Sequence, residues 1–83
     1  MDLIDLLAKA LELEYISLLP VVRVSPERLH YIYELPEDGA CTEDYVRLAQ
    51  YVRCEDTNFK SIQEAKRRIA QTMGGRPGGA AGR

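Results

Sequence analysis

Tyr45, Arg47, Tyr51 and Arg53 combine rigid aromatic rings with guanidinium groups, the side chains that anchor protein interfaces at low entropic cost. The same four residues suit the stacking of unpaired bases, with arginine reaching phosphate oxygens. They belong to a repeated triplet: Tyr-Val-Arg at 45–47 returns at 51–53. On a strand that spacing sets both copies on one face, whereas on a helix it turns them about 120° apart. A second set is basic. Lys60, Lys66, Arg67 and Arg68 can grip a phosphate backbone or an acidic protein, and they sit in a basic C-terminal third. Residues 1–56 hold twelve acidic residues against five basic ones, and residues 57–83 hold six basic against one acidic. The dyads Glu43-Asp44 and Glu55-Asp56 flank the Tyr/Arg stretch and repel phosphate, so a protein partner is expected ahead of nucleic acid. The plainer reading is that the tyrosines cover apolar surface and the cations keep a helix soluble.

Other chemistry is sparse. His30, Cys41 and Cys54 are the only soft metal ligands, and a structural zinc site takes four, usually including a close Cys pair. Neither a metal nor a cofactor is therefore expected. Residues 56–60 begin like a calcium loop but lack its later glycine and distal glutamate. His30 has no serine or cysteine near it in sequence to activate. The glycines after position 73 follow a helix instead of opening one, so they form no phosphate loop. At 83 residues, the chain has room for one small core and little for a supported catalytic cleft. A binding protein rather than an enzyme is expected.

The elements that would position these residues are two helices and three strands. Residues 2–16 read as a helix capped by Asp2, with Leu3, Ile4, Leu6, Leu7, Ala10, Leu11 and Leu13 forming a broad apolar surface and Pro20 as the stop. That surface is wide enough to leave some for a partner. Val21–Val24 and Leu29–Leu35 read as a hairpin around a turn at 25–28, although Ser25-Pro26-Glu27 also makes a good helix start. Residues 36–40 form a loop. Residues 45–53 fit two templates: a strand by the repeated triplet, and a helix by Tyr45, Leu48, Ala49 and Val52 at i, i+3, i+4 and i+7 after Thr42-Glu43-Asp44. Ser61-Ile62-Gln63-Glu64 is a capping box opening a helix over 61–73, with Ile62, Ala65, Ile69 and Met73 as its apolar stripe and Gly74 as its end. Phe59 is expected to plug the core beside it.

The expected fold is thus α+β, a three-stranded antiparallel sheet with two helices on one face in the order α-β-β-β-α. Four short helices are the alternative. Residues 1–73 make a single globular domain and 74–83 a disordered Gly-rich basic tail. The element order resembles that of the double-stranded-RNA-binding domain, and residues 61–66 echo the last helix of that family. Ile62 and Gln63, however, stand where that family carries phosphate-gripping lysines, so the likeness is one of topology.

Asp2 and Asp5 replace the basic start of a signal peptide, and charges at Lys9, Glu12, Glu14 and Arg23 interrupt every apolar run. A cytosolic setting with no membrane span and reduced thiols follows, with a Cys41–Cys54 disulfide as the oxidised alternative. The functional expectation is a small regulatory protein that works by protein–protein contact, self-association included, with nucleic-acid binding as the alternative.

Overall fold

Asp2 starts the first helix by accepting the Ile4 N–H on its side-chain oxygen (3.0 Å), and Asp5 sits in the first turn, where the helix dipole favours a negative charge. In the computed structural model, which describes residues 2–37 and 41–75, this helix, α1, spans Leu3–Ala10. It ends well before Pro20. The Leu13 N–H returns to the Ala8 carbonyl and the Glu12 N–H to the Lys9 carbonyl, both at 3.0 Å, while Glu12 turns left-handed at φ 59°. This is a Schellman stop made without glycine. Arg28 adds a third anchor by donating to the Leu11 carbonyl at 3.0 Å.

The expected sheet does not form: the described residues contain four helices and no strand, as in the alternative of four short helices. With no sheet, the topological likeness to the double-stranded-RNA-binding domain also falls away. Each expected strand has its own reason for failing. Val24 donates its N–H to the Met73 carbonyl at the end of the last helix (3.0 Å), not to a neighbouring strand. Pro26–Arg28 make a single 3-10 turn with Pro26 at the first position, and α2 follows at His30–Tyr33. Ile32 and Leu35 are buried and Leu29 packs against the core, a spacing of three that belongs to a helix; Tyr33, which an alternating strand would bury, is exposed.

Residues 45–53 are helical as well. α3 spans Thr42–Tyr51, and its buried residues Tyr45, Leu48 and Ala49 continue to Val52 at helical spacing. The Asp44 carboxylate accepts the Cys41 N–H (3.0 Å), closing the start of the helix. That backbone bond is also the main cause holding the Asp44 carboxyl below its ordinary range. α3 stops as α1 does: Cys54 N–H to Ala49 carbonyl (2.9 Å), Arg53 N–H to Gln50 carbonyl (3.1 Å), and Arg53 left-handed at φ 68°.

α4 runs Ile62–Gly74, and Ser61 Oγ accepts the Glu64 N–H at 3.2 Å. Ala65, Ile69 and Met73 are buried as the stripe requires, and Phe59 enters the core just ahead of the helix. The helix carries one residue further than expected, and its cap, Gly75, is not left-handed (φ −94°). α4 lies against α2 and α3, and α1 packs on both of these. A single apolar cluster from Leu3 to Met73 joins all four. Residues 76–83, most of the expected tail, lie outside the described residues.

Candidate functional site

The helix disperses the residues that a strand would have aligned. Tyr45 is fully buried, and its hydroxyl donates to the Pro36 carbonyl at 2.5 Å. Burial first, and then the charges of Glu37 and Asp44, push its phenol up to about 12. Tyr51 is half-buried and donates its hydroxyl to the Ile16 carbonyl (3.2 Å). Arg47 is exposed beside the start of α1, in a shallow cavity with Asp2, Ile4 and Asp44. Arg53 is exposed at the left-handed stop of α3, where it shares a cleft with Glu55, Asp56 and Arg68. Arg47 faces solvent from the middle of the helix and Arg53 from just past its C-terminal end, and Tyr45 is buried away from both. The common Tyr/Arg wall does not exist.

The basic set divides too. Lys60, Arg67 and Arg68 are exposed, and Arg68 approaches Asp56 at 3.9 Å. Lys66 turns inward and is only 1% exposed. Its ammonium donates to the Tyr33 carbonyl (2.9 Å), the Leu35 carbonyl (2.7 Å) and Glu37 Oε2 (2.8 Å), which uses all three of its protons. It also lies 5.9 Å from the centroid of the Tyr45 ring. Gln63 Nε2 holds the same Glu37 oxygen at 2.6 Å. The Lys66 hydrogen bond is the main cause keeping the Glu37 carboxyl below its ordinary range. Lys66 therefore fastens the chain leaving α2 onto α4 and presents no charge to a ligand. The sequence holds a signal for this: Lys66 stands four residues after Ile62 and three before Ile69, within the apolar stripe.

The remaining chemistry-bearing residues are local. His30 is exposed, with Nδ1 2.9 Å from the Glu27 carbonyl and Nε2 3.9 Å from Glu34. Cys41 is exposed and Cys54 half-buried, its sulfur 3.2 Å from Thr72 Oγ1, and the two make no disulfide. Among the described residues no group of three or more His, Cys, Asp or Glu is placed to hold a metal ion. No helix among them is long and apolar enough to cross a membrane.

The feature that sequence reasoning missed lies between α1 and α2. The apolar surface of α1 is largely consumed by the core, with Leu3, Leu7, Ala8 and Leu11 buried. Spare apolar surface appears instead at Tyr15 (64% exposed), Ile16 (43%), Leu18 (37%) and Val21 (52%). These side chains stand on a hydrogen-bonded knuckle and not on a slack linker. Leu18 N–H donates to the Tyr15 carbonyl, Leu19 N–H to the Ile16 carbonyl, and both the Val21 and Val22 N–H groups to the Leu18 carbonyl, at 2.8–3.1 Å. Leu19 is fully buried, and the Tyr51 hydroxyl holds the Ile16 carbonyl from α3. Two internal anchors thus fix a turn whose other large side chains face water. The available signal was the density of Leu, Ile, Tyr and Val over 15–22 with no polar residue except Ser17, more than the short 3-10 turn at Ile16–Leu18 can bury. Comparison with protein-family models, with curated proteins and with solved structures finds no match.

Proposed function

We propose that this protein is a non-enzymatic contact module that binds another protein through the knuckle at residues 15–21. What supports the reading is the pairing of exposure with order: four large apolar side chains held in place by Leu19 and Tyr51. Scattered exposed leucines are ordinary, but a contiguous apolar patch usually marks an interaction site. Fully burying a large apolar side chain is worth about 1.5–3 kcal/mol, and these four begin about half exposed, so the patch contributes roughly 3–6 kcal/mol before association costs. A loose segment would lose most of that to ordering its own backbone, and the hydrogen-bonded knuckle has already met this cost in folding.

Nucleic-acid binding, by contrast, would have to rely on the dispersed Arg47, Arg53, Lys60, Arg67 and Arg68 without Lys66 or Tyr45. The experiment is photo-crosslinking in cells, with a photoreactive phenylalanine analogue at position 18 or, for comparison, at position 67. Protein adducts from position 18 that disappear with Ile16→Glu are expected. Adducts formed equally from both positions, or nuclease-sensitive adducts from position 67 alone, would overturn the reading.

A further inference from the structure

We infer that the knuckle docks onto the same knuckle of a second copy of this chain, the two related by a two-fold axis. This rests on the contact reading above and names its occupant. The limb entering the knuckle carries Glu12 and Glu14, both exposed, and the limb leaving it carries Arg23. The limbs run side by side, since Leu13, Val22 and Arg23 line one cavity. None of the three charges has an ion pair among the described residues. The surface is therefore an apolar tip with an acidic margin on one side and a basic margin on the other.

An interface between identical copies must be self-complementary: what residue i meets, residue j meets in return. A two-fold axis between the limbs lays Glu14 of each copy over Arg23 of the other while the apolar tips meet at the centre. A partner carrying one sign of charge would be drawn to one limb and repelled by the other, whereas a second copy satisfies both. The knuckle is small beside the roughly 800 Å² per partner of a standard interface, so the dimer is concentration-dependent and not obligate.

Sedimentation equilibrium on the full chain, up to ~1 mM at low salt, tests this. The wild type should move from 9.4 kDa towards twice that mass, and Leu18→Glu should stay monomeric while keeping its helical circular dichroism. Glu14→Arg and Arg23→Glu should each weaken association at least ~10-fold through like-charge contacts, yet an equimolar mixture of the two should regain wild-type association because both contacts are restored. A wild type that remains monomeric, or a mixture no tighter than its components, would overturn the inference. If position 18 still crosslinks to a different protein in cells, the contact reading survives and only its occupant is wrong; if it yields no adduct, both fail.

Discussion

Replacing Lys66 by methionine removes one ammonium group while keeping an unbranched apolar stem of similar length. The Tyr33 and Leu35 carbonyls then each lose a charged donor, at 2.9 and 2.7 Å, the Leu35 contact being buried and the Tyr33 contact part-buried. An unsatisfied buried acceptor costs about 1–3 kcal/mol, so the two carbonyls together should cost about 3 kcal/mol. The Glu37 contact is left out of that figure because its carboxylate is solvent-exposed and screened. A domain of this size has only about 3–5 kcal/mol of net stability, so the loss is most of what the fold possesses. Lys66→Ala should be worse, because it also opens a cavity beside Tyr45 and Ala65. Urea unfolding followed by helical circular dichroism measures this, with Lys60→Met as the control that changes the same charge on the surface. The prediction is a loss of about 3 kcal/mol for Lys66→Met at unchanged denaturant slope, and less than about 0.5 kcal/mol for Lys60→Met. Equal midpoints for the two variants would refute the assignment of Lys66 as an internal clamp.

The phenol of Tyr45 is pushed up to about 12, above its ordinary value near 10, so the fold favours the neutral form. Tyr45 should therefore add a loss of stability that begins near pH 10 and grows towards 12; Tyr45→Phe should make the alkaline decline shallower while costing about 1 kcal/mol at neutral pH through the orphaned Pro36 carbonyl, both read from thermal melts across the pH range. The depressed carboxyl of Glu37 works in the opposite direction: its contribution is complete above the usual carboxylate range and is lost as the pH falls through its lower folded value, so acid titration of Glu37→Gln should show a shallower loss of stability below about pH 5. Arg53 sits at φ 68°, where a β-carbon is unfavourable, so Arg53→Gly should stabilise the chain by up to about 1 kcal/mol in the same urea assay; destabilisation would mean that its side chain contributes more than the backbone strain.

The two outer helices were legible because their signals were local and unopposed. Asp2 and Ser61 supply caps, and the Ile62, Ala65, Ile69 and Met73 stripe admits only a helix. Even so, α1 stops early because Glu12 accepts a left-handed conformation that sequence reasoning reserves for glycine, and α3 stops the same way at Arg53. The middle of the chain failed for a different reason. The Tyr-Val-Arg repeat favours a strand, but it contributes only Tyr45 and Val52 to the core, and these join Leu48 and Ala49 in an i, i+3, i+4, i+7 series that packs as one helical face, chiefly against α4. In residues 29–35, aromatic and β-branched content suggested a strand, and packing of Leu29, Ile32 and Leu35 overrode that propensity.

At the site, the charge of Lys66 suggests a surface contact, but its place in the apolar stripe between Ile62 and Ile69 is the more informative fact. The knuckle escaped notice because exposure is a tertiary property. Nothing local distinguishes Leu18, which faces water, from Leu19, which is fully buried.

Tyrosine footprinting tests the contact surface most directly, since Tyr15 is 64% exposed and Tyr33, on α2 outside the knuckle, is 46% exposed and serves as an internal reference. In dilute purified protein both rings should label strongly. In cells, Tyr15 should be protected several-fold while Tyr33 labels as before; equal labelling of Tyr15 in the two settings, or protection shared equally by Tyr33, would contradict the knuckle as the place where this protein meets its partner.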